Sequence, residues 1–236
     1  MSRTTFLARM RAAVETANGT TVSRRQAAVA ERLARPPAHP LPACAKIPAE
    51  DRENELIAAL EARGADVIVV PELTALPRAL GNQLQQQTTR LLIGDDPRLA
   101  HLPWNSPLQP WNPEQKPEDG TAALTHAFAA VAETGTLVLA SSAASPATLA
   151  FLPETHLVAV ARETVVGSFE AAFSRLRTAF PDRLPRAVNL VSGPSRTSDI
   201  EGRLVKGAHG PRRLVVILYG APAETAPAGL PPNAAT

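Results

Sequence analysis

The stretch AEDRENELIAALEARGADVIVV, residues 49–70, decides the reading of the fold. Its first part is an amphipathic helix, with Leu56, Ile57 and Leu60 at helical spacing beneath charged residues, and Gly64 stops it. The β-branched run VIVV (67–70) follows at once, with no polar alternation. Short apolar runs of this kind belong to strands covered on both faces, the signature of a parallel sheet.

The same rhythm continues along the chain. ELTALPRALGNQL reads as a helix and leads into RLLIGDD (90–96). After the loop PWNSPLQPWNPEQKPEDG, the alanine-rich ALTHAFAAVAETG reads as helical and enters TLVLASS (136–142). HLVAVARE (156–163) is strand-like, SFEAAFSRLRTAF helical, and AVNLVSG (187–193) and RRLVVILYG (212–220) strand-like again. Alternation of this type predicts an α/β fold with a mostly parallel sheet and helices on both faces.

Before this region, residues 4–17 and 23–35 read as two helices separated by NGTT, with Thr21 or Ser23 capping the second. Arg3, Arg9, Arg11, Arg24, Arg25, Arg32 and Arg35 make them basic, which suits solvated helix faces or, alternatively, a surface for an anionic partner. ARPPAHPLPACAKIP (34–48) then breaks regular structure, because proline fixes φ and removes donors. The expected organisation is an N-terminal helical extension with a Pro-rich linker over 1–48, an α/β domain over 49–222 and a disordered tail over 223–236.

Composition excludes several classes. The 236 residues carry 24 Lys+Arg against 22 Asp+Glu, too balanced for a nucleic-acid footprint. No apolar run approaches the ~18 residues of a membrane span, and the opening MSRTTFLARMRAAVETA lacks the apolar core of a signal peptide. A cytoplasmic protein is expected. Cys44 is the single cysteine, so the chain lacks the set of thiolates an iron–sulfur cluster needs. His39, His101, His126, His156 and His209 are scattered without zinc spacing, and no nucleotide-binding glycine motif occurs. No metal and no cofactor are expected.

Chemistry concentrates in three segments. In VSGPSRTSDIE, Gly193 and Pro194 turn the chain after a strand. Ser198 and Glu201 fit the S-x-x-E capping pattern ahead of a short helix carrying Ile200, Leu204 and Val205. Ser195, Arg196, Thr197 and Asp199 either meet a small anionic ligand or serve the helix cap. In KGAHGP, Gly207 and Gly210 permit close backbone approach, and His209 is either an acid–base group or a brace for the loop. In AETGT, Glu133 is either a base or nucleophile or a partner for backbone amides. His126 reads as a surface or packing residue on its helix. The AETGT and VSGPSRTSDIE segments are expected beyond the carboxyl ends of the strands, where such sheets bind ligands.

The combination HAFAAVAETGTLVL, LPETHLVAV, SGPSRTSDIE and GAHGPRRLVVIL, across about residues 120–220, resembles the lactate-utilization protein C family, the LUD-domain proteins. The resemblance implies a fold akin to the sugar-phosphate isomerase and CoA-transferase-like group. It also implies a part in oxidising L-lactate to pyruvate, as the cluster-free accessory or ligand-binding subunit beside two iron–sulfur partner proteins. Its motif positions here are Glu133, Thr134, Gly135 and Thr136; Gly193, Pro194, Ser195, Thr197, Asp199, Ile200 and Glu201; and His209, Gly210 and Pro211. Fold-level analogy suggests Glu133 as a nucleophile, and with it the alternative of a free-standing CoA-transferase-like or sugar-phosphate-isomerase-like enzyme.

Overall fold

The computed structural model describes residues 2–19, 21–35, 40–84, 90–104, 108–110, 112, 114, 117–118, 120–200, 203–206 and 209–221. Glu201 and Gly207, and the tail 223–236, lie outside the described residues. The chain divides into two compact units, Met1–Leu41 and Pro42–Thr236.

The first unit holds α1 (Arg3–Asn18) and α2 (Val22–Ala34). The Ser2 hydroxyl accepts from the Thr5 amide and the Thr21 hydroxyl from the Arg24 amide, satisfying N–H groups that a helix start leaves without partners. Gly19, at φ 60°, ends α1.

In the second unit the strands are β1 (Asp66–Val70), β2 (Arg90–Ile93), β3 (Leu108–Pro110), β4 (Thr121–His126), β5 (Ala129–Val131), β6 (Thr136–Ala140), β7 (Thr155–Ala161), β8 (Val165–Val166), β9 (Val188–Val191), β10 (Arg196–Ile200), β11 (Arg203–Lys206) and β12 (Arg213–Tyr219). The helices are α3 (Arg52–Ala62), α4 (Leu76–Leu84), α5 (Pro97–Ala100), α6 (Ala147–Phe151) and α7 (Phe169–Ala179). A six-stranded parallel sheet runs in the order β1-β12-β7-β4-β2-β3. The central strand β12 shows why it forms. Leu214, Val216 and Leu218 point to one face with Leu56 and Leu60 of α3, while Val215 and Ile217 point to the other with Leu76 and Leu80 of α4 and Leu99 of α5. Each such buried side chain contributes about 1.5–3 kcal/mol, and both sets alternate with the strand period of two. Among the described residues no helix is long and apolar enough to cross a membrane.

Three expectations need correction. The segment 123–135 is not a helix: Thr121–His126 is a fully buried strand paired on both sides, and Ala129–Val131 is another. Alanine favours helices, but a short apolar run takes whichever state the sheet around it demands. The segment after Ser195 is an antiparallel hairpin, β10 with β11, not a capped helix. The β-branched Thr197, Ile200 and Val205 favour strands, and Gly202 weakens a helix interior. The parallel sheet also has company. A second four-stranded sheet, β8-β5-β6-β9, packs Leu137 and Leu139 onto the α3 face, and its outer side receives Ala172 and Leu176 of α7. β9, expected in the parallel sheet, runs antiparallel to β6 in this second one.

The turn between β5 and β6 depends on a glycine. Gly135 has φ 60°, and a Cβ there would lie 2.8 Å from the Ala59 Cβ and 2.9 Å from the Leu60 amide nitrogen of α3. We expect Gly135→Ala to lower stability by about 2–3 kcal/mol, because backbone strain adds to overpacking. Gly81→Ala, inside α4 with nothing within 4 Å, should raise it by about 0.5–1 kcal/mol. Denaturant midpoints check both signs.

Candidate functional site

β9 ends at Val191, where it pairs with Leu137 of β6, and the chain turns through residues 192–195. The HGP turn, 209–211, leads into β12. The Ser195 amide donates to the Pro211 carbonyl at 2.8 Å and stitches the two loops together. Gly210 faces Ser195 closely, since a Cβ there would meet the Ser195 Cβ at 3.4 Å. Between the loops lies a cavity of about 240 Å³. Ser192, Gly193, Ser195, His209 and Gly210 supply its polar side, with Phe151, Leu190 and Leu214 as apolar wall and His156 also in the lining.

His156 and Leu214 are the second residues of β7 and β12, so this cavity opens at the amino ends of the parallel strands. The expected place was the carboxyl ends. It differs because the loop after β9 leaves the second sheet, not the parallel one.

The ETGT turn reaches the cavity indirectly. The Thr134 and Thr136 hydroxyls lie 2.7 Å apart, and the Thr136 hydroxyl lies 2.7 Å from that of Ser192. Gly135 and Gly193 both abut α3, against Ala59 and Arg63, one helical turn apart. Glu133 accepts a hydrogen bond from the Phe169 amide at 2.9 Å, at the start of α7 where a negative charge is favoured. It is not among the residues lining the cavity. The Arg196 guanidinium lies over Gly64. Thr197 and Asp199 sit on β10. The structure therefore brings Gly193, Ser195, His209 and Gly210 together, ties Thr134 and Thr136 to them through Ser192, and places Glu133 on a helix amide.

Two buried histidines escaped the sequence reading. His156 is 1% exposed and its Nε2 lies 2.8 Å from the Thr125 hydroxyl. Burial pushes its pKa down to about 3. His126, expected as a surface or packing residue on a helix, instead closes strand β4 and is 8% exposed. Its Nε2 lies 2.6 Å from the Tyr219 hydroxyl, while its Nδ1 is buried without a partner in hydrogen-bonding geometry. Burial, reinforced by the Arg98 charge and opposed by Asp96, pushes His126 down to about 4. Reading 123–135 as a strand would have flagged Thr125 and His126 as opposite-facing buried polar groups.

Both rings ordinarily titrate near 6.5. Below that pH the unfolded chain takes up protons that the folded rings refuse, so stability rises with pH across the window down to about 4. Each ring contributes up to about 1.4 kcal/mol per pH unit there. Denaturant midpoints should therefore fall between about pH 7 and 5.5, where carboxylates barely titrate. A flat profile contradicts the burial of neutral rings.

Comparison with known proteins supplies the context. The family model described as the LUD domain matches residues 113–219. The chain is 31% identical over 157 residues to lactate utilization protein C of Halalkalibacterium halodurans, covering 61% of this chain and 68% of that protein. It is 32% identical over 106 residues to lactate utilization protein C of Macrococcus caseolyticus, spanning 44% of this chain and less than half, 46%, of that relative. The crystal structure of a DUF162 family protein from Deinococcus radiodurans superposes with a TM-score of 0.57 at 19% identity, covering 74% of this chain and 99% of that one, and so shares the fold.

Proposed function

The chain belongs to the LUD-domain family, and on that premise we propose that it serves lactate utilization as a cluster-free, ligand-binding subunit. In this reading L-lactate is oxidised to pyruvate with iron–sulfur partner proteins accepting the two electrons, and this chain holds a small anionic ligand at the amino-edge cavity. One observation carries the reading: the two motif loops that flank the β10–β11 hairpin line a single hollow, stitched by the Ser195–Pro211 hydrogen bond. Ser195 and the backbone at Gly193 and Gly210 offer oxygens and amides, and His209 closes the exposed side. Such a site binds an acid by hydrogen bonds and leaves the redox step elsewhere. The proposal gives Glu133 a supporting role, because its Oε1 is engaged by the Phe169 amide. That geometry lends no support to a free-standing CoA-transferase-like reaction.

The test has two arms. The purified chain should turn over no lactate with an artificial electron acceptor, and it should co-purify with iron–sulfur proteins from lactate-grown cells. Ser195→Ala should melt like the parent yet slow partner-dependent lactate oxidation by roughly fivefold, the effect of one lost neutral hydrogen bond. Lactate turnover by the isolated chain, or full activity in Ser195→Ala, defeats the proposal.

A further inference from the structure

The carboxyl edge of the parallel sheet holds a second polar cluster that the motif loops do not touch. The chain leaving β2 enters α5, whose Leu99 packs with Leu91, Ile93 and Leu124 on one face. The chain leaving the neighbouring β4 enters β5, whose Ala130 packs with Val158 and Val160 on the other face. Adjacent strands whose continuations depart to opposite faces leave a crevice between their carboxyl ends, and open α/β sheets bind ligands there. Asp96 and Arg98 follow β2, His126 ends β4, and Tyr219 ends β12. His126 shares its strand face with Leu124, and Tyr219 with Ile217, so both rings lie on the α4–α5 side.

The cluster is ordered more tightly than packing requires. Asp96, 5% exposed, accepts from the Arg98 amide at 3.0 Å and from Arg98 Nε at 2.9 Å and Nη2 at 2.5 Å. That fork commits two of the guanidinium's five N–H groups, while the Arg98 side chain remains 41% exposed. The Tyr219 hydroxyl is held by His126, whose other ring nitrogen is buried beside the Ala127 backbone.

We propose that Arg98 and Tyr219, with His126 positioning the Tyr219 hydroxyl, form a second site that takes a short-chain 2-hydroxy or 2-oxo monocarboxylic acid. The outer edge of Arg98 takes the carboxylate, and the Tyr219 hydroxyl reaches the oxygen on the adjacent carbon. Asp96 already balances Arg98, and Glu163 adds negative charge near Tyr219. Hydrogen bonds rather than excess charge therefore hold the acid, which favours a monoanion over phosphate and sets millimolar affinity. Tyr219, pushed up to about 12 by burial and Glu163, and His126, neutral near pH 7, stay in the protonation states this requires. The choice of acid rests on the lactate-utilization reading; the position of the site does not.

The test follows the His126 ring nitrogens by NMR while the full chain is titrated with L-lactate, pyruvate, acetate or inorganic phosphate. Lactate or pyruvate should shift them saturably, phosphate should not, and affinity should fall about tenfold in Arg98→Gln and in Tyr219→Phe. Arg98→Lys keeps the charge beside Asp96 but lacks the planar fork, so it should also bind weakly while remaining folded. Rings unmoved by all four probes overturn the proposal, as do equal shifts with phosphate or undiminished binding in Arg98→Lys. Loss of the lactate-utilization role in cells with acid binding intact would remove that reading and leave this site standing.

Discussion

The seating of α3 on the parallel sheet is the constraint on which the rest of the second unit depends. At its start, Glu53 takes a two-pronged hydrogen bond from Arg162 at 2.6 and 2.8 Å, just past the carboxyl end of β7. Along its length Leu56 and Leu60 are fully buried. Near its end two turns come within contact distance, and both do so at glycine: Gly135 against Ala59 and Gly193 against Arg63. Any Cβ at Gly135 would collide with the helix, so the turn and the helix are a matched pair. Because the two turns sit one helical turn apart on the same helix, the hydroxyls of Thr136 and Ser192 meet, and the loop that follows Ser192 is aimed at the HGP turn. The cavity is a consequence of that arrangement.

The sheet carries one neutral buried histidine toward each edge, His156 at the amino side and His126 at the carboxyl side. Strand alternation sends them to opposite faces. His156 is satisfied by Thr125, and burial alone accounts for its suppressed basicity. His126 has the charged neighbours Arg98 and Asp96 and shares a hydrogen bond with Tyr219. Similar residues at comparable depth therefore have different surroundings: one lines the cavity beneath the motif loops, the other holds a tyrosine at the carboxyl edge of the sheet. Desolvation keeps both uncharged at neutral pH, and that is the form in which a ring can accept as well as donate.

Much of this was legible in the sequence. β2, β7 and β12 fall on the apolar runs at 90–96, 156–163 and 212–220, and α3 and α7 on their amphipathic segments. The motif loops carried the family, and Gly193, Ser195, His209 and Gly210 line one cavity, whereas the Glu133–Thr136 turn expected beside them is not in its lining. What failed did so for identifiable reasons. β4 and β5 are rich in alanine, whose small side chain fits between close layers but is the strongest helix former in isolation. The sequence 198–201 has a serine and a glutamate at capping-box spacing, a local pattern that says nothing about which partner strand is available. The second sheet was invisible because β5, β6, β8 and β9 look like ordinary strands until their pairing is known. That missing pairing also put the motif loops at the wrong end of the parallel strands. Glu133 is a related case, since the amide it accepts from belongs to a helix 36 residues away.

If α3 seating governs the cavity, a change on the helix face should be felt across the loops. Hydrogen–deuterium exchange of the Ser195 amide, which bonds to the Pro211 carbonyl at 2.8 Å, measures this directly in Ala59→Leu, where bulk is added opposite Gly135. The account predicts that protection of Ser195 falls together with that of the 133–136 turn. Loss of protection confined to 133–136, with Ser195 as slow as in the parent, would contradict it.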